Sequence, residues 1–116
     1  MKTLHQFEIW LANLPYHPDS HVLYGLHPVI IVSNEAVNAH SPVITIVPLT
    51  SNTNKRVSPT HVLISGQGLK QSSIAICEQP MSLDCRYFVR PVGYIKNEFD
   101  RYAIMHGIAM QFGFTA

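Results

Sequence analysis

A mostly β domain closed by one helix is the fold that this sequence predicts, and three features predict it. Short runs of β-branched and aliphatic residues recur between turn residues. Eight prolines and six glycines punctuate the 116 residues, a spread that suits short strands better than a helical bundle. Apolar residues at three- and four-residue steps occur only near the C-terminal end. At this length a single domain spanning 1–116 with one core is expected.

The elements follow in order. Residues 7–14 alternate well enough for a first strand ended by Pro15, and the ten-residue stretch 16–25 reads as a long surface loop, a candidate binding loop. Residues 28–33 form a second strand, buried on both faces, and 34–40 allow one short helical turn before Ser41-Pro42. The central strand is the β-branched run 43–47, with Pro48 at its end, an edge or a bulge and the polar cluster Thr50-Ser51-Asn52 leading into a loop over 51–59. Residues 60–64 and 73–80 read as strands, 65–69 and 82–84 as turns, and 87–95 as an extended segment broken by Pro91 and Gly93. The closing helix starts at the N-cap Asn97, with Glu98 and Asp100 in its first turn. Its packing face is expected to be Phe99, Tyr102, Ala103, His106, Ala109, Met110 and Gly113, with Gly107 weakening the helix and Gly113 capping it.

Hydrophobic residues make up 47% of the chain and charged ones 13%, which excludes an intrinsically disordered protein. No apolar run approaches the roughly 20 residues of a membrane span, and no signal-peptide pattern is present, so a cytoplasmic setting is expected. The net charge of +1 is unevenly distributed: residues 36–77 contain no Asp or Glu, and Lys55, Arg56 and Lys70 lie among them. That local excess favours an anionic ligand. Cys77, in an apolar run, reads as a buried structural thiol, and Cys77 with Cys85 forms no metal quartet. His17, His21 and His27 lack the helical register and the acidic partners of a metal site, so no metal or other cofactor is expected.

Chemistry-bearing residues gather at strand ends. His27 precedes the second strand, Thr50-Ser51-Asn52 follows the central one, and Glu78-Gln79 follows the run 73–77. Brought together, imidazole, hydroxyl, carboxylate and amide would form a shallow polar site beside the acid-free loop, with His27 available for acid–base work on an anionic polymer. Each, taken singly, also reads as an ordinary strand terminator.

A set of ordered motifs sharpens this. His27-Pro28-Val29-Ile30-Ile31-Val32-Ser33-Asn34, Ser41-Pro42, Val47-Pro48-Leu49-Thr50-Ser51, Pro59-Thr60-His61-Val62, Gly68-Leu69-Lys70 with Ser72-Ser73, Cys77-Glu78-Gln79 and Leu83-Asp84 together resemble the MazF/PemK family of type II toxin–antitoxin toxins, over roughly residues 7–95. The resemblance implies an SH3-like small β-barrel with a C-terminal helix, assembled as a homodimer. It also implies a metal-independent, sequence-specific endoribonuclease that cuts single-stranded RNA by attack of the 2′-hydroxyl, leaving a 2′,3′-cyclic phosphate and a 5′-hydroxyl. The implied partners are RNA and a cognate antitoxin with a disordered tail, with DNA reached only through that antitoxin.

On this resemblance Thr50 matches the catalytic hydroxyl residue, and Glu78 and Gln79 match the Glu-Gln pair of the RNA groove. The loops 16–25 and 51–59, with Ser20, His21, Ser51, Asn52, Lys55 and Arg56, match those framing the groove, and His61 joins the RNA-binding set. His27 stands where the family pattern has a catalytic arginine; it can do acid–base work but loses the permanent charge and bidentate grip. Two further departures are Phe7-Glu8 in place of Gly-Asp and Ser20-His21-Val22 in place of a Ser-Glu-Gln-type loop. One alternative is a catalytically weakened relative that binds RNA or antitoxin and acts in regulation. A gyrase poison of the same fold is disfavoured, because that branch relies on a tryptophan near its C-terminus and the only tryptophan here is Trp10.

Overall fold

The computed structural model describes residues 2–54 and 58–115. Among these described residues seven strands carry the fold: β1 (Glu8–Leu14), β2 (Gly25–Ile31), β3 (Val43–Thr50), β4 (His61–Ile64), β5 (Ser73–Ile76), β6 (Met81–Asp84) and β7 (Phe88–Tyr94). Helix α1 (Glu35–His40) follows β2, a 3-10 turn (Cys85–Tyr87) follows β6, and helix α2 (Glu98–Gln111) closes the chain. The strands pair antiparallel in the order β4-β5-β3-β2-β1-β7, with β6 also on β3.

β3 is the hub. One edge pairs with β2 through residues 46–48, while the other pairs first with β6 through 43–46 and then with β5 through 49–50. Pro48 is therefore inside the strand rather than at its end. It falls between the two partners on the second edge, where a missing N–H leaves no rung unmade.

Both sheet faces are buried, as expected of β2, whose Val29, Ile30 and Ile31 are fully enclosed. Alternation sends Trp10, Ala12, Val29, Ile31, Ile44 and Ile46 into one apolar cluster with Leu83 and Phe88. Ile9, Ile30, Val47 and Leu49 enter a second with Ile64, Cys77, Ile95 and Ile104. The single expected core is thus two clusters separated by the sheet.

Several boundaries differ from the sequence reading. β2 begins at Gly25, whose φ of +89° turns the chain into the strand, so His27 lies within it rather than before it. The run from residue 73 ends as a strand at Ile76, and Cys77 to Gln79 form a turn closed by Gln79 N–H donating to Ile76 O at 3.0 Å. Ser82-Leu83-Asp84 is strand β6, not a turn, because the first half of β3 offers a free edge that captures it. β7 runs unbroken through Pro91 and Gly93, which pair with Trp10 and Ile9 of β1; its two register shifts fall at Val92, between them, and at Val89.

The ends of the open strand path meet without a ladder. Gln67, at φ +57°, accepts from Tyr94 N–H on its backbone oxygen at 3.2 Å. Its side-chain oxygen accepts from the N–H of Lys96 and Asn97, and its amide donates to Asp100. Beside it Gly68 and Gly93 touch backbone to backbone; a Cβ on Gly93 would lie 1.9 Å from Gln67 O. Among the described residues no rungs join β4 to β7, so the expected closed barrel is not completed by strand pairing.

α2 begins as read: Asn97 caps it by accepting from Asp100 N–H at 3.1 Å. It ends in Gly113 at φ +77°, with Phe114 N–H on Ala109 O and Gly113 N–H on Met110 O. Its packing face is not the expected one. Ile104 and Gly107 are buried, whereas Phe99 is 83% and Tyr102 68% exposed. Gly107 explains the choice, since a Cβ there would lie 3.0 Å from Cys77 Cβ; its lack of a side chain lets the helix lie close on the β5 turn. Among the described residues no helix is long and apolar enough to cross a membrane.

Candidate functional site

Where β3 ends, its last residues face two clefts. Thr50 pairs with Ile74 of β5, and its hydroxyl accepts from Asn52 N–H at 3.2 Å. Thr50 and Asn52 line a cavity of about 150 Å³ with His61, Glu78, Gln79 and Leu23. His61 arrives from β4, opposite Ile76 of β5, and Glu78 stands just past the end of that same strand. The β4–β5 hairpin thereby places an imidazole and a carboxylate side by side.

Glu78 is well held. One carboxylate oxygen meets His61 Nε2 at 2.8 Å and the other accepts from the Thr60 hydroxyl at 2.9 Å. Burial alone would raise its pKa, but the hydrogen bonds from His61, its own backbone N–H and Thr60, with the His61 charge, outweigh it and hold the carboxyl below its ordinary value of 4.5. Among the described residues His61 Nδ1 is buried without a partner. Gln79 Oε1 accepts from Leu23 N–H at 3.2 Å, which fastens the loop after β1 to this cavity. Behind it the buried Cys77 thiol is pushed up to about 12, by burial first and by the neighbouring Glu78 charge second, and so stays protonated.

The second cleft, about 440 Å³, opens on the other side of β3's end. Ser51, His27, Lys70, Ser73 and Arg90 line it over the apolar floor of Leu11 and Pro28. Pairing explains the meeting: Leu11 of β1 lies between Pro28 of β2 and Arg90 of β7. Among the described residues no Asp or Glu lines this cleft.

The sequence-derived set is therefore divided. Thr50, Asn52, His61, Glu78 and Gln79 converge on the first cavity, while His27 and Ser51 line the second. Ser20 and His21 line neither; the Ser20 hydroxyl instead accepts from Val22 N–H at 3.0 Å within its own loop. Lys55 and Arg56 lie outside the described residues. The His61–Glu78 contact joins residues 17 apart in sequence and has no local signature. Arg90 and Lys70 carried no signal as neighbours, because only the pairing of β7 with β1 and the path of the 65–72 loop bring them to one cleft.

Residues 5–100 match the model of the PemK-like, MazF-like toxins of type II toxin–antitoxin systems. The chain belongs to this family. A curated relative, an endoribonuclease MazF from Staphylococcus saprophyticus subsp. saprophyticus, is 32% identical over 76 residues, covering 64% of this chain and 63% of the relative. The chain thus spans under two thirds of that relative's length. The fold matches a crystal structure of MazF from Deinococcus radiodurans with a TM-score of 0.81 at 17% identity, over 97% of this chain and 99% of that one. It also matches a mycobacterial endoribonuclease in complex with its cognate antitoxin, with a TM-score of 0.74 at 21% identity over 97% and 96% of the two chains. The mainly antiparallel sheet with a C-terminal helix is therefore a MazF-like fold.

Proposed function

We propose that this chain is the ribonuclease of its toxin–antitoxin pair, cutting single-stranded RNA without a metal by attack of the 2′-hydroxyl on the adjacent phosphate. The observation that carries the reading is the first cavity, where the Thr50 hydroxyl, the Glu78 carboxylate and its partner His61 face one space. The reaction must take a proton from the 2′-oxygen, neutralise charge on the phosphoryl oxygens and return a proton to the leaving 5′-oxygen. Glu78, held ionised at neutral pH, is the acceptor for the 2′ proton, and His61 fixes its orientation. Thr50 donates to a phosphoryl oxygen. His27, at the rim of the neighbouring cleft, protonates the leaving oxygen. Asn52 and Gln79 line the same space and offer amides to unpaired bases, while Ser20, His21, Ser51, Lys55 and Arg56 belong to the loops that frame the RNA path.

On this reading the protein works in the cytoplasm as a homodimer and is silenced by an antitoxin whose disordered tail occupies the RNA path. One observation favours a second reading. His27 and Thr50 line different clefts, an arrangement that suits a weakened relative able to bind RNA or antitoxin without cutting.

The test incubates the purified protein, free of antitoxin and in EDTA, with a long single-stranded RNA from pH 5.5 to 8.5, mapping the fragments. Wild type should give discrete cuts ending in cyclic phosphate. Thr50→Ala and Glu78→Gln should each lower the rate by about 100-fold or more, as expected for loss of a group acting in the transition state. Binding without cutting at any pH would select the regulatory reading.

A further inference from the structure

Thr50, Ser51 and Asn52 are consecutive, yet they divide between two clefts: the first and third line the carboxylate-bearing cavity and the second lines the acid-free one. An extended nucleic-acid chain crossing the end of β3 would pass both. At the first cavity, however, a phosphate meets the ionised Glu78, so the chain needs positive charge close by to stay in place.

The second cleft offers it. Arg90 is solvent-exposed on β7 and Lys70 on the loop before β5, and both line the cleft with Ser51 and Ser73. Among the described residues neither cation is committed to an ion pair or a cation–π contact. Glu78, the carboxylate of the first cavity, does not line this cleft. Two cations, two hydroxyls and an apolar floor make a receptor for a phosphodiester with its sugar against Leu11 and Pro28.

Resting on the ribonuclease reading, we propose that Arg90 and Lys70 form a phosphate subsite that holds the RNA phosphate adjoining the one at Thr50. Arg90 grips two phosphoryl oxygens with its planar fork, Lys70 adds a point charge, and the Ser51 and Ser73 hydroxyls complete the shell. The permanent bidentate cationic grip that histidine at position 27 lacks thereby enters from a different strand of the sheet.

The experiment measures binding of a mixed-sequence 2′-O-methyl oligoribonucleotide, in which the attacking hydroxyl is blocked, from 50 to 200 mM salt. Cutting of unmodified RNA is followed in parallel. Each phosphate contact contributes about 0.7 to the slope of log affinity against log salt for a single strand. Arg90→Gln and Lys70→Gln should each reduce the slope by about 0.7 and weaken binding by about tenfold at the lowest salt. Arg90→Lys should retain the slope, which separates charge from a folding defect. If wild type binds and cuts RNA while both Gln variants match it in affinity and slope, the subsite is wrong and the ribonuclease reading stands. If wild type neither binds nor cuts RNA, both fall together. If the Gln variants keep RNA affinity but lose binding of a polyglutamate peptide, the cleft serves an acidic polypeptide and the proposal is overturned.

Discussion

Glu78 is the residue on which the site's charge turns. Its carboxyl is held below the ordinary value, so the folded state binds its proton less readily than the unfolded state does. The stabilisation is complete above pH 4.5 and is lost as pH falls through the lower folded value. Glu78→Gln should therefore cost about 1 kcal/mol near neutrality, and the gap in melting temperature from wild type should close in acid, as calorimetry across that range would show. A gap that stays constant with pH would mean that the His61 and Thr60 contacts do not favour the charged form. At this scale the sequence was readable by type but not by company. Glu78, Gln79, Thr50 and Asn52 all stood out as strand-end polar residues and do share a cavity, whereas the His61–Glu78 pair depended on a hairpin register that spacing does not encode.

At the scale of elements, strands with a strong alternating or β-branched signal were legible: β1, β2 and β3 lie where their runs lie, within a few residues. β6 was not, because Met81–Asp84 becomes a strand only when β3 leaves an edge open beside it. The face of α2 was misread for a related reason. Phe99 and Tyr102 carry more apolar surface than Gly107, but Gly107 allows close approach to Cys77, and approach decides which side packs. The Gly68–Gly93 contact makes the same point with a measurable consequence. Gly93→Ala would force its Cβ to within 1.9 Å of Gln67 O, a backbone atom that cannot rotate away. Chemical denaturation should show a loss of about 2–3 kcal/mol, more than a typical surface substitution.

For the whole molecule, the expected outline of a small β domain with a C-terminal helix holds, while among the described residues strand pairing does not close a barrel. Closure is a property of how the sheet's ends meet, and no local pattern in the sequence states it. The outward face of α2, with Phe99 and Tyr102 in solvent, leaves apolar surface that a two-fold partner would cover. Sedimentation velocity should accordingly show a dimer. Phe99→Ser with Tyr102→Ser should shift it toward monomer if that face is the contact, and leave it unchanged if another surface is used.

Gln67 gives the molecule a latch. Four of the hydrogen bonds that Gln67 makes, two through its side-chain oxygen, one through its amide and one through its backbone oxygen, fasten the 65–72 loop to β7 and the start of α2. Lys70 rides on that loop and Arg90 on the strand to which it is fastened. The spacing between the two cations thus depends, with the Gly68–Gly93 contact, on a glutamine that hydrogen-bonds to neither, and a protein with that latch undone would keep both charges while loosening the jaw between them.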